Sequence, residues 1–232
     1  MAIYQGNISK MEVLFGQPVQ YQLPIGKELI PMNQLLDRQI SVRFSDEINC
    51  IHCGKLTNKS FGQGFCYPCF ISAPEASECV LNPELCQAHL RITRDLEWSD
   101  NHCLTEHYVY LAISSALKVG VTRASQIPNR WIDQGASRAI KLALTPNRYL
   151  AGCIEVELKK HMSDKTAWQK MLKNEIDLLT VLEDEKQKAW ELLNADLQEY
   201  VIDDDEITAI EYPVLKYPLK VKSMTFDNVK TY

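Results

Sequence analysis

Seven of the eight cysteines in this chain lie between residues 50 and 103. That stretch has weak hydrophobic periodicity, so it cannot build much core of its own and needs a staple to hold one shape. The start of the chain, Met1-Ala-Ile-Tyr-Gln-Gly6, has no basic region followed by an apolar run. We therefore expect no secretory signal and a cytoplasmic protein, in which thiols stay reduced and serve as metal ligands instead of disulfides.

The spacing supports this. Cys50-Ile-His-Cys53-Gly54 is followed by Cys66-Tyr-Pro-Cys69. Two residues between cysteines let both thiolates turn toward one ion at about 2.3 Å, and Gly54 permits the tight turn. Two such knuckles close a tetrahedral four-sulfur site with no position left for water, so the expected zinc is structural; an iron–sulfur cluster accepts the same donors. A second zinc site is expected from four of five candidates: Cys79, Cys86, His89, Cys103 and His107. Cys153 is read as a core residue, and His52, His102 and His161 as surface residues.

The 232 residues allow one large domain or two small ones, and 46% apolar with 24% charged residues excludes global disorder. No apolar run approaches the roughly 18–20 residues of a membrane span, so no membrane partner is expected. The net charge of −5 is an average over unlike segments. Residues 101–150 carry six basic against two acidic side chains, whereas 151–206 carry seven against fifteen. The basic middle suits phosphate, and the acidic helical part suits solvent or a protein partner.

Along the chain, 12–45 reads as short strands with a turn at Pro24-Ile25-Gly26. Residues 107–112 and 117–121 read as strands, the Trp131 region as a helix between Pro128 and Gly135, and 139–144 as a third strand. Thr145-Pro146-Asn147 opens a helix carrying Leu150, Ile154 and Leu158. Residues 163–200 read as two helices, or as one long helix with a solvated stretch over Glu183–Lys188. Leu215, Tyr217, Leu219 and Val221 alternate as a closing strand. The expected division is a β segment with a zinc-binding module over 1–106, a core over 107–162, and a helical region with the closing strand over 163–232.

Tyr108-Val-Tyr110-Leu-Ala, then Leu117-Lys118-Val119-Gly120-Val-Thr122, then Arg130, resembles the GIY-YIG nuclease superfamily, in the variants with Lys-Ile-Gly for Tyr-Ile-Gly. The resemblance covers about 55 residues and agrees with the strand–strand–helix–strand–helix order. It implies an α+β protein with a GIY-YIG-like three-stranded antiparallel sheet. It also implies a catalytic set of Tyr110 activating water, Arg130 stabilising the phosphate, Glu155 holding Mg²⁺ or Mn²⁺, and Lys118 supporting the phosphate or lowering the pKa of a neighbouring tyrosine. Lys118 stands where the superfamily has a second tyrosine, and Tyr108 shares a strand face with Tyr110.

Almost the whole chain is also similar to a bacterial family catalogued as domain of unknown function 2797. That similarity rests on the Cys50 knuckle, Ser60-Phe-Gly-Gln-Gly-Phe-Cys66-Tyr-Pro-Cys69-Phe70, and Leu117 through Ala136. It implies no activity. The function expected is a zinc-containing protein acting on nucleic acid, DNA or RNA, as a divalent-metal-dependent nuclease. Two alternatives stand beside it: a nucleic-acid binder without cleavage, and a regulatory zinc protein meeting a protein partner through the helices at Trp168 and Trp190.

Overall fold

The computed structural model describes residues 2–163, 165–221 and 230–231, and it is an α+β protein. The first elements are the strands β1 (Glu12–Leu14), β2 (Gln20–Ile25), β3 (Glu28–Pro31) and β4 (Ser41–Val42), then the helix α1 (Tyr67–Ser72). Short 3-10 turns lead to α2 (Leu96–His102). Next come β5 (His107–Ile113), β6 (Leu117–Arg123), α3 (Asn129–Asp133), β7 (Arg138–Thr145) and α4 (Arg148–Leu158). The remainder is α5 (Trp168–Leu172), α6 (Leu182–Leu192), α7 (Ala195–Gln198), β8 (Ile207–Ala209) and β9 (Lys230–Thr231).

The chain separates into two units, Met1–Phe70 with Ile210–Tyr232, and Ile71–Ala209. This differs from three consecutive segments. The second group of cysteines shares a unit with the core strands, and the end of the chain joins the beginning. In the first unit β1, β2 and β3 form an antiparallel sheet, with Leu23 opposite Ile30, and β4 pairs with β9. The Val19 N–H donates to the Glu211 carbonyl at 2.9 Å, which fastens the returning chain there.

The second unit is built on a four-stranded antiparallel sheet in the order β6-β5-β7-β8. β5 is central, and six of its seven residues are buried, so it reads as a nearly continuous apolar run. Val109, Leu111 and Ile113 point to one face, where they meet Ala151, Ile154 and Leu158 of α4 and Leu182 and Ala189 of α6. Burying Ile154 and Leu158 completely contributes about 2 kcal/mol each. α4 starts where the sequence predicts, because the Asn147 side chain accepts from the Leu150 N–H at 3.0 Å.

Two elements depart from expectation. The helical stripe over 163–200 is broken between α5 and α6, not across the charged run. Asn174 has φ +60°, and the Asp177 carboxylate accepts from the N–H groups of Leu179 and Thr180, so side chain replaces helix there. Glu183, Asp184 and Glu185 instead form the first turn of α6, where acidic groups favour the helix dipole. The closing strand over Leu215–Val221 does not form. Pro213 and Pro218 bring no N–H to a ladder, and Leu215 and Leu219 are 70% and 93% exposed. The strand that does complete the core sheet is β8, with Ile207 opposite Ile140.

Candidate metal centres and the Tyr110 site

The first cysteine group forms as its spacing predicts. The sulfurs of Cys50, Cys53, Cys66 and Cys69 all lie within 4.8 Å of one another. The Cys53 and Cys66 sulfurs are 3.9 Å apart, close to the edge of about 3.8 Å that a tetrahedron of 2.3 Å metal–sulfur bonds requires. Gly54 takes φ +70°, and its N–H donates to the Cys50 carbonyl at 2.8 Å, which closes the first knuckle. The second runs into α1, where the Phe70 N–H returns to the Cys66 carbonyl.

Four thiols this close cannot all ionise without a cation. Burial opposes the anion at Cys50, yet the backbone N–H groups of Cys53, Cys66 and His52 outweigh it and hold that thiol at about 6. Burial, with the neighbouring sulfurs, pushes Cys69 up to about 12. The group is geometrically compatible with zinc.

The second group is smaller than expected. Cys79, Cys86 and Cys103 bring their sulfurs within 4.8 Å of one another, and neither histidine joins them. His107 belongs to central β5, is 1% exposed, and turns its Nδ1 to the Thr105 carbonyl at 2.7 Å. Burial lowers its pKa to about 4, so it is neutral. His89 is exposed and stacks on Tyr149 with ring centroids 4.5 Å apart. Arg148 was not singled out by the sequence, and it organises this group. Its guanidinium donates to the Cys79 and His102 carbonyls at 3.4 and 3.1 Å and lies over the Trp98 ring. Its own N–H donates to the Cys103 carbonyl at 2.8 Å. The first turn of α4 is thus tied to the three-cysteine group. The three-sulfur group is compatible with zinc as well.

The third site lies on the opposite face of the core sheet. Residues paired directly across strands share a face. Tyr110 is opposite Gly120 on β6 and Lys141 on β7, while Ala112 is opposite Lys118. Tyr110 is fully buried and donates its hydroxyl to the Gln134 Oε1 at 2.7 Å, with the Trp131 ring edge-on at 6.0 Å. Burial pushes its phenol up to about 12, while the charge and hydrogen bond of Arg130 pull the other way. Glu155 is near enough to oppose ionisation of the phenol, and it pairs with Lys159 at 3.1 Å one helical turn on. Lys118 is 4% exposed and donates to the Thr166 hydroxyl at 3.0 Å. The charges of Arg130 and Glu155 therefore both reach Tyr110. Lys118 lies on the Tyr110 face but is engaged by a residue 48 positions on, for which no local signal exists.

A family model described as Protein of unknown function (DUF2797) matches residues 37–232, a span holding both cysteine groups and the Tyr110 site. The chain belongs to the DUF2797 family. No curated protein and no solved structure matches it. In this DUF2797 protein the basic segment 101–150 is not an exposed basic patch. Lys118 is buried, Lys141 pairs with Asp204 at 2.7 Å, and Arg138 donates to the carbonyls of Asp177 and Thr180. Arg148 serves the cysteines. Of the six basic residues only Arg130 is exposed. The acidic loop is likewise occupied, since Lys186 donates to the Asp204 carbonyl and pairs with Asp205 at 2.8 Å. Cys153 is half-buried, His52 and His161 are exposed, and His102 stacks on Trp98. No helix among the described residues is long and apolar enough to cross a membrane.

Proposed function

We propose that this cytoplasmic protein acts on nucleic acid through a GIY-YIG-like core, as a divalent-metal-dependent phosphodiester nuclease. One observation carries the reading: the charges of the exposed Arg130 guanidinium and of the Glu155 carboxylate both act on the buried Tyr110 phenol. The exposed Arg130 would pair with a phosphate arriving from solvent, and its fixed charge would favour the pentacovalent state as negative charge builds. Glu155 is the residue that would hold Mg²⁺ or Mn²⁺. Such an ion keeps most of its waters, needs few protein carboxylates, and would supply Lewis-acid charge at the phosphate. Gln134 fixes the direction of the Tyr110 hydroxyl. Zinc at the cysteine groups holds the surrounding chain in place.

The state of Tyr110 favours a second reading, binding without cleavage. A neutral phenol that donates to an amide oxygen cannot take a proton from water; it must first give its own proton to a base or to a metal-bound hydroxide. The deciding experiment is a cleavage assay on mixed single- and double-stranded DNA and RNA, with and without Mg²⁺. Cleavage that needs the ion and vanishes in Glu155→Gln, with zinc content unchanged, supports the nuclease. Salt-sensitive binding that weakens in Arg130→Ala, with no cleavage, supports the binder. If the protein neither cleaves nor binds, both readings fail, and the half-exposed Trp168 and Trp190 become the surface to test for a protein partner.

A further inference from the structure

The two cysteine groups differ in a way that bears on chemistry. The first brings four sulfurs together; the second brings three, and neither His89, stacked on Tyr149, nor His107, whose Nδ1 turns to the Thr105 carbonyl and whose Nε2 is buried without a partner, lies within the sulfur group. The second group also borders a cavity of about 300 Å³, lined by all three cysteines with Gln87, Thr93 and Ser99. A bound water takes up about 30 Å³, so the space admits a ligand of several heavy atoms. We propose that Cys79, Cys86 and Cys103 hold zinc by three protein ligands, and that the fourth position opens on this cavity and takes an exchangeable small thiol.

Zinc prefers four tetrahedral ligands. A site with three protein donors keeps one place for water or an incoming group, whereas a four-sulfur site is closed. Three thiolates leave the zinc centre with one net negative charge and make it soft, so a sulfur donor suits it better than a carboxylate. The extra charge of an incoming thiolate is met by Arg148, whose positive charge reaches all three sulfurs. The exchange balances simply: the thiol gives its proton to solvent, its sulfur bonds to zinc, and the zinc-bound water leaves. The cavity wall supplies hydroxyls, since Thr93 Oγ1 and Ser99 Oγ are hydrogen-bonded to each other beside the cysteines. The same connections give a bound thiol a route to the rest of the unit, because Arg148 begins the helix that carries Glu155.

The test uses the whole protein loaded with zinc and, separately, with cobalt. X-ray absorption on the zinc form should give a mean of about 3.5 sulfurs per metal, rising to about 4 with saturating 2-mercaptoethanol, and no imidazole scattering. In the cobalt form, 2-mercaptoethanol should shift the ligand-field bands of one ion of two. Cys86→Ser should retain one cobalt whose bands no longer respond, and His89→Ala should retain both ions with unchanged bands. Imidazole scattering in the zinc protein, loss of an ion in His89→Ala, or a wild-type spectrum indifferent to the thiol would each overturn the proposal. The zinc measurement needs no variant, so a misfolded Cys86→Ser leaves the outcome decidable.

Discussion

Tyr110 and Gly120 face each other across β5 and β6, and the phenol lies where a side chain on Gly120 would be. A Cβ at Gly120 would stand 2.6 Å from the Tyr110 hydroxyl oxygen and 2.7 Å from the ring carbon bearing it. The end of a tyrosine can often swing away from such a clash. This one cannot easily do so, because it is fully buried, bonded to Gln134 and edged by Trp131. Gly120→Ala should therefore lose about 1–3 kcal/mol, the usual cost of overpacking a filled core. Urea unfolding followed by far-UV circular dichroism reads it directly. A midpoint equal to that of the parent would mean that the phenol is not confined against β6.

The same burial sets a pH dependence. The Tyr110 phenol is raised to about 12 in the folded protein, first by burial, against an ordinary value near 10. The stability from its neutral, buried form is fully present below pH 10. It is lost as the pH climbs through the folded value, because the unfolded chain releases the proton earlier. An ultraviolet titration should show one tyrosine that ionises only near 12 or with unfolding, and Tyr110→Phe should remove that late step. Tyr110→Phe also leaves Gln134 Oε1 without its donor, at a cost of about 1–2 kcal/mol. If every tyrosine in the folded protein ionised near 10, the sealed phenol would be refuted.

These features were unequally legible in the sequence. The strands β5, β6 and β7 and the helix α4 were visible because local pattern and core burial agree there: alternating residues on β6, a near-continuous run on β5, helical spacing of Leu150, Ile154 and Leu158. The first four cysteines were visible because both knuckles are local. Legibility ended where a partner lies far along the chain. Nothing near Lys118 announces Thr166, and nothing near Lys141 announces Asp204. Counting charges suggested a basic surface, but charge in sequence does not say whether a side chain faces water. His107 has the spacing of a ligand to Cys103, and the strand it belongs to turns it inward. The Leu215–Val221 alternation has strand period but a proline within it and another two residues before it, and the sheet edge was already taken by Ile207–Ala209.

Arg148 links the second cysteine group to α4, so removing it should act on both. Arg148→Ala takes away the bonds to the Cys79 and His102 carbonyls and the charge over Trp98. Outer partners of this kind typically change metal affinity about 10–100-fold. We expect that loss at the second ion and none at the first, in competition titrations with a chromophoric chelator. Arg148→Lys should recover only part, since an ammonium keeps the charge but not the planar fork. Gly152→Ala tests the same docking by shape. A Cβ there would come within 2.2 Å of the Glu84 backbone nitrogen, and backbone cannot rotate aside. Equal weakening at both ions in Arg148→Ala would show general unfolding instead of a local link.

Around the first cysteine group the chain has little apolar burial to fall back on. Cys50, Phe65 and Cys69 are buried, but Ile51, Leu56 and Tyr67 are all more than half exposed. The energy that fixes this segment therefore has to come from the metal, as in other small modules whose binding free energy is their folding free energy. Cys66→Ser should cost one equivalent of zinc and open the chain near residues 50–66 to protease. The β5–β7 sheet, with its own core against α4 and α6, should keep its circular dichroism and its slow-exchanging amides. Limited proteolysis with mass mapping and amide exchange read the two regions separately. A 50–66 segment as resistant without its ion as with it would show that Phe65 and its neighbours suffice, and the metal would then be an addition to a module already folded.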